Sequence, residues 1–284
     1  MRGVVFMMRL QDDGKTTQLV SVGRDVPAVK WWGDVKLALG ETLQKTLGEV
    51  GFYVQRQERE WLISRWMETD LCVDRKSTRE KNAAKREDVR FVISSADTTL
   101  SLSPALADRS VVSRPVVPVT LLPRASGDFY VSTPLWISIT SGTRKIKLMD
   151  FPTIRPSDTW FGPNTRMGEL CYMSRTDAFA SLDCLPVQAD RVITPVRIIN
   201  ESNESLNVSH IKLAVPHLSV FSDTKMRLWT ERAVLVNKGD TSLFEFRVDK
   251  TQHLTDACER LSEPRVPLRR NRLTQTWSFL IGSS

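Results

Sequence analysis

The sequence predicts an all-β protein built as two packed antiparallel β-sandwich domains with little helix, and three observations predict it. Apolar and polar residues alternate with period two in many short runs, and clusters of Gly, Pro, Asn and Ser punctuate those runs at short intervals. No stretch shows the apolar periodicity of an amphipathic helix of useful length, and there are no heptads or short repeats. With 284 residues, 41% hydrophobic and 26% charged, the chain has the length and composition to bury a sizeable core.

Proline marks the division into domains. None occurs between Pro27 and Pro104, whereas twelve fall from Pro115 to Pro267. We therefore expect an N-terminal β domain over 1–155 and a C-terminal β-sandwich domain over 156–284. In the first, VKLALG (35–40) alternates Val35, Leu37 and Leu39, and VGFYVQRQ alternates Val50, Phe52 and Val54 against polar neighbours. REWLISRW continues with Trp61, Ile63 and Trp66, so the segment reads as a meander. Residues 74–90 carry one apolar side chain larger than alanine and are expected to form a charged loop or short exposed helix. FVISS, TTLSLS and VVPVTLL return to strand, and Leu135, Ile137 and Ile139 lead through Ser141 and Gly142 into a hairpin partner at 145–148.

The same grammar resumes after residue 180. RVITPVRIIN, LNVSHIKLAVP, VFSDTKMRLWT and RAVLVNKGDTSLFEFRVD read as strands, with ESNES as a polar hairpin turn and Gly239 at another. Asn200, Asn203 and Asn207 each open a formal glycosylation acceptor, which matters only for a secreted eukaryotic chain and is read here as turn chemistry.

The net charge of +7 is not concentrated: residues 51–90 carry 10 basic against 8 acidic side chains, and 201–250 carry 7 against 7. The sharpest basic runs are Lys81, Lys85 and Arg86, then Arg265, Arg269, Arg270 and Arg272, read as solvated loops before a phosphate patch. Cys72, Cys171, Cys184 and Cys258 are too scattered for a disulfide framework, so reduced thiols are expected. His210, His217 and His253 match no metal-ligand spacing, no nucleotide or nucleophile-elbow motif occurs, and no cofactor or metal is expected. The apolar run near the start is five residues long, short of a signal peptide, and no stretch is long enough to span a membrane. The expected location is cytoplasmic, with peripheral association to a membrane protein left open.

One stretch concentrates candidate chemistry. From Asp158 to Asp177 the chain has turn-forming Gly162, Pro163 and Asn164, aromatic Trp160, Phe161 and Tyr172, and charged Asp158, Arg166, Glu169, Arg175 and Asp177. One reading is a corner between sheets with Trp160 and Phe161 plugging its base. The other is a polar cluster in which two carboxylates and an arginine hold a ligand or perform acid and base chemistry. Trp31 and Trp32 form a second candidate. If both lie on a strand, alternation sends them to opposite faces, and one needs a partner to cover it.

The runs PTIRPSDTWFGPNTRMGELCYMSRTDAF, ITPVRIINESNESLNVSHIKLAVPHLSVF and RLWTERAVLV carry a resemblance. Phe161-Gly162-Pro163, Gly168, Cys171-Tyr172 and the strand ending at Val196 to Asn200 resemble the prokaryotic domain of unknown function 432 family over roughly 135–250. The resemblance implies no reaction and no catalytic residues; it implies a genomic neighbourhood with mechanosensitive-type membrane channels. The basic segment 74–90 departs from the family's pattern. The expected function is a non-enzymatic interaction or accessory protein with a protein partner, a membrane channel being the suggested class. The alternatives are a small-ligand or sugar-binding domain or hydrolase using the 158–177 cluster, and, behind both, a nucleic-acid binder using the basic loops.

Overall fold

The computed structural model of the chain describes residues 30–67, 86–93, 99–162, 168–173, 177–239, 243–249, 258–268 and 272–276. The described residues are all-β: strands joined by turns, two single-turn 3-10 segments at Leu182–Cys184 and Val215–His217, and no α-helix. No helix among them is long and apolar enough to cross a membrane. The strands in chain order are β1 (Gly33–Lys36), β2 (Thr42–Leu47), β3 (Val50–Arg56), β4 (Glu60–Met67), β5 (Glu87–Val92), β6 (Thr99–Ala105), β7 (Val111–Pro115), β8 (Val119–Leu121), β9 (Ser126–Pro134), β10 (Trp136–Ser141), β11 (Ile146–Pro152) and β12 (Asp158–Phe161). They continue with β13 (Glu169–Tyr172), β14 (Asp177–Phe179), β15 (Arg191–Asn200), β16 (Leu206–Val208), β17 (Ile211–Leu213), β18 (Val220–Ser222), β19 (Leu228–Trp229), β20 (Arg232–Asn237), β21 (Leu243–Asp249), β22 (Glu259–Ser262) and β23 (Arg272–Thr276).

The chain forms two compact units, and each draws on two separate stretches. The first takes residues up to Ser103 together with Trp136–Arg155, and the second takes Pro104–Leu135 together with the chain from Pro156. The chain crosses between the units at 103/104, 135/136 and 155/156, so residues 104–135 belong with the later chain. The reason is non-local pairing: β9 runs antiparallel to β15 from Ser126 against Ile199 to Pro134 against Arg191. That ladder joins residues some sixty positions apart, which no local pattern reveals.

In the first unit β2, β3, β4 and β5 form an antiparallel meander, and β1, β6, β10 and β11 form a second sheet. The expected segments at Val50 and Trp61 supply β3 and β4, but of 35–40 only Val35 and Lys36 are in strand, in β1, which pairs with β6. The two sheets bury facing layers of apolar side chains. Phe52, Val54, Trp61 and Ile63 come from the meander, and Leu100, Leu102, Ile137, Ile139 and Phe151 come from the other sheet. Phe52 meets Phe151 edge to face at 5.5 Å, and the Trp61 indole N–H donates to the Ser141 hydroxyl at 2.9 Å. The hairpin from β10 to β11 turns at Gly142, whose φ of 78° lies in the left-handed region that favours glycine.

Two expectations change here. Glu87 to Arg90, assigned to the charged loop, belong to β5; residues 74–85 lie outside the described set. Among the described residues β5 ends its sheet and has a solvated face, so charge is compatible with pairing: Arg65 Nε donates to Glu87 at 2.7 Å, and Arg90 Nε to Glu60 at 3.0 Å. Trp31 and Trp32 are both buried and touch edge to face, ring centroids 5.8 Å apart. They precede β1, so strand alternation does not govern them and neither is left for a partner to cover.

The second unit is a mixed sheet. β15 lies antiparallel to β9 but parallel to β20 and β19, and β13 and β14 both run parallel to β7. The turn at Gly239 joins β20 to β21 as expected. The polar turn after Asn200 is present but joins no hairpin, because β16 pairs with β8. Two buried carboxylates in this unit have partners. Glu231 accepts from the Ser219 backbone N–H and hydroxyl at 2.7 and 2.8 Å. Glu245 takes two bonds from Arg247 and a 3.0 Å ion pair from Lys238.

The Arg247 hydrogen bonds, against the opposing effect of desolvation, pull the Glu245 carboxyl down to about 2. A depressed carboxyl contributes stability above its unfolded value and loses it as pH falls toward the folded value. Thermal unfolding of the protein is therefore expected at lower temperature at pH 3 than at pH 6, with a shallower acid slope in Glu245→Gln. Equal slopes would remove Glu245 from the acid response.

Candidate functional site

The Asp158–Asp177 stretch is built on a β-hairpin and a following strand. β12 and β13 pair antiparallel with Asp158 opposite Tyr172, Thr159 opposite Cys171, Trp160 opposite Leu170, and Phe161 opposite Glu169. Directly paired residues share a face and successive residues alternate. Asp158, Trp160, Leu170 and Tyr172 therefore occupy one face, and Thr159, Phe161, Glu169 and Cys171 the other. This divides the expected polar cluster: the carboxylates of Asp158 and Glu169 point to opposite sides and cannot act together on one ligand. Arg166 and Arg175 lie outside the described residues. Asp177 starts β14 opposite Arg114 of β7, where its charge acts on Arg191.

On the Glu169 face, Lys212 of β17 supplies the opposite charge. Its ammonium is 1% exposed, pairs with Glu169 Oε1 at 2.7 Å, and lies 6.0 Å from the Phe161 ring centroid. Burial alone would raise the Glu169 carboxyl; the hydrogen bonds from Lys212 and Ser110, with the Lys212 charge, outweigh it and hold the group below its ordinary value. Burial and the Glu169 charge push the Cys171 thiol up to about 12, so it is not a thiolate nucleophile near neutral pH. Cys171, Cys184 and Cys258 are free thiols.

On the opposite face, Arg109 pairs with Asp158 at 3.1 Å, and its guanidinium lies 5.3 Å from the Tyr172 ring centroid. The Tyr172 hydroxyl donates to Asp108 at 3.0 Å, and burial followed by that bond raises its ionisation above the ordinary phenol value. Trp160 does not plug a core: it is 49% exposed, opposite Leu170 at 43%. A Cβ at Gly168 would overlap the Trp160 indole, so the ring lies against the glycine backbone. β12 ends the strand order of its sheet among the described residues.

His210 and His217 have partners within the chain, and His253 lies outside the described residues. His210 Nε2 accepts from Arg114 Nε at 3.0 Å, and desolvation, with the Arg114 charge, lowers its pKa. His217 Nδ1 lies 2.6 Å from the Val266 carbonyl. The described residues contain no group of three or more acidic, histidine or cysteine side chains placed to hold a metal. Of the basic runs, Arg86 stacks on Tyr53 and Trp66, and Arg265 Nε donates to the Leu106 carbonyl at 2.6 Å; Lys81, Lys85, Arg269 and Arg270 lie outside the described residues.

Sequence reading missed Lys212, Asp108, Arg109 and Ser110. Only Lys212 carried a local signal, as a lysine between Ile211 and Leu213 in a fully buried strand. The others reach the hairpin because β13 runs parallel to β7 and the Tyr172 N–H donates to the Ser110 carbonyl at 2.9 Å.

The family model for Protein of unknown function (DUF432) matches residues 31–281. It extends the resemblance seen over 135–250 to most of the chain and runs across the basic segment 74–90. Comparison with curated proteins and with solved structures finds no match.

Proposed function

We propose that this chain, which belongs to the family Protein of unknown function (DUF432), is a non-enzymatic interaction or accessory module whose contact element is the β12–β13 hairpin. The observation that carries the reading is the directly opposed pair Trp160 and Leu170, 49% and 43% exposed on an edge hairpin. Exposed aromatic and aliphatic side chains on a firm backbone are the chemistry of contact hot spots. The reactive groups of the same hairpin are engaged in internal contacts: Glu169 with Lys212, Asp158 with Arg109, and Tyr172 with Asp108. The membrane channel suggested by the family resemblance is the partner class to test first.

The test is affinity purification of the tagged full chain from its own cells after mild detergent extraction, beside the double variant Trp160→Ala/Leu170→Ala. The expected result is a defined protein retained by the native chain and lost, at least about tenfold, with the variant, since two hot-spot truncations each cost about 1–2 kcal/mol. Equal retention by both chains, or no retained protein, would remove the hairpin from the role.

A further inference from the structure

We infer that Arg232, at the start of β20, binds a carboxylate, its two terminal guanidinium nitrogens each donating to one oxygen. The strand register places Asp128, Arg197, Val234 and Arg247 in one row across β9, β15, β20 and β21, and Arg232 with Asp249 in the neighbouring row of the same face. Water reaches that face: the Arg197 and Arg247 side chains are 39% and 34% exposed.

Two of the three arginines in these rows hold a carboxylate through two bonds. Arg197 Nε and Nη2 donate to Asp128 at 2.9 and 2.8 Å, and Arg247 Nε and Nη2 donate to Glu245 at the same distances. Arg232 is the third and the most buried, at 9% exposed, and among the described residues its guanidinium has neither a hydrogen bond nor an ion pair. Its Nε is sealed from solvent without a partner; the two terminal nitrogens are not sealed, so they open to the solvated side. Asp249, directly opposite, acts on the charge of Arg197. A guanidinium set this deep has lost most of its water, and an anion that reaches its fork supplies the missing counter-charge. The sealed Nε rules out the side-on pairing that Arg197 and Arg247 make and leaves the end-on fork, which matches the two oxygens of a carboxylate. Asp128 and Asp249 stand close by, so a doubly charged phosphate is repelled more than a singly charged carboxylate. The site is separate from the β12–β13 hairpin and does not depend on the interaction reading.

The test titrates the full 15N-labelled chain with sodium acetate, and with sodium chloride at equal ionic strength, reading the arginine Nε–H signals. The sealed Arg232 Nε–H should exchange slowly enough to be seen, and its loss in Arg232→Lys assigns it. A saturable shift of this signal is expected with acetate, at least about threefold that with chloride. Acetate should also raise the thermal midpoint of the native chain and not that of Arg232→Lys, and Asp249→Asn should tighten acetate binding about threefold by removing a repelling charge. No acetate shift, an equal shift with chloride, an equal midpoint rise in Arg232→Lys, or tighter binding of inorganic phosphate than of acetate would overturn the inference. So would Asp249→Asn destabilising the chain as much as Arg232→Met, since Asp249 would then be the counter-charge. Affinity purification with Arg232→Met separates the two sources of the carboxylate: loss of a retained protein assigns it to an acidic side chain of that protein, and unchanged retention beside an intact acetate shift assigns it to a free acid.

Discussion

Asn200→Ala is expected to destabilise the second unit by about 4 kcal/mol, several times the effect of an ordinary surface substitution. The Asn200 side chain is fully buried at the end of β15. Its amide nitrogen donates to the carbonyls of Leu121, Leu122 and Glu204 at 3.2, 3.1 and 2.8 Å. Its oxygen accepts from the Ser202 N–H and hydroxyl and from the Asn237 amide at 3.2, 2.7 and 3.1 Å. One side chain thus satisfies the β8 end, the polar turn and the end of β20. Truncation strands several buried donors and acceptors at once, each costing about 1–3 kcal/mol unless water enters. Denaturant unfolding of Asn200→Ala against Asn203→Ala checks it: Asn203 bonds Arg124 at an exposed site and should be near neutral. Equal midpoints would show that water replaces the network. The same bonding occupies the amide that glycosylation at Asn200 would require.

Glu169→Leu is expected to cost about 3 kcal/mol, because it leaves the Lys212 ammonium buried without its counter-charge. The value sits at the lower end for a broken buried pair, since Glu169 is 41% exposed and water can approach from its side. The double variant Glu169→Leu/Lys212→Met should recover most of the loss, because it removes both charges and keeps similar volumes. Midpoints of thermal unfolding for the two singles and the double decide it. A double variant as unstable as the sum of its singles would show that the pair is not energetically coupled.

Much of the fold was readable because a β-strand reports itself locally. Val50, Phe52 and Val54 alternate and are buried, and Gly142 and Gly239 turn with the positive φ that glycine favours. What misled was each place where a local rule was applied without its strand. Trp31 and Trp32 are off-strand, so alternation said nothing about them. Glu87, Asp88 and Arg90 lie on a strand that ends its sheet among the described residues, which composition does not distinguish from a loop. Asp158 and Glu169 were grouped as one cluster by proximity in sequence, whereas the hairpin register sends them to opposite faces.

The sequence by itself determined the all-β class, the strands β3 and β4 of the meander, and the turns, because these depend on period-two patterning and on residues that bend the chain where they stand; the family was legible separately, as a resemblance carried by the motifs around Phe161-Gly162-Pro163 and Cys171-Tyr172. Only the tertiary structure decided that residues 104–135 join the second unit, that Lys212 meets Glu169, and that Trp160 is left half exposed on a glycine backbone. These follow from pairing between distant strands, such as β9 with β15 and β13 with β7, whose partners are selected by the fit of whole sheets and leave no mark in any short stretch of sequence.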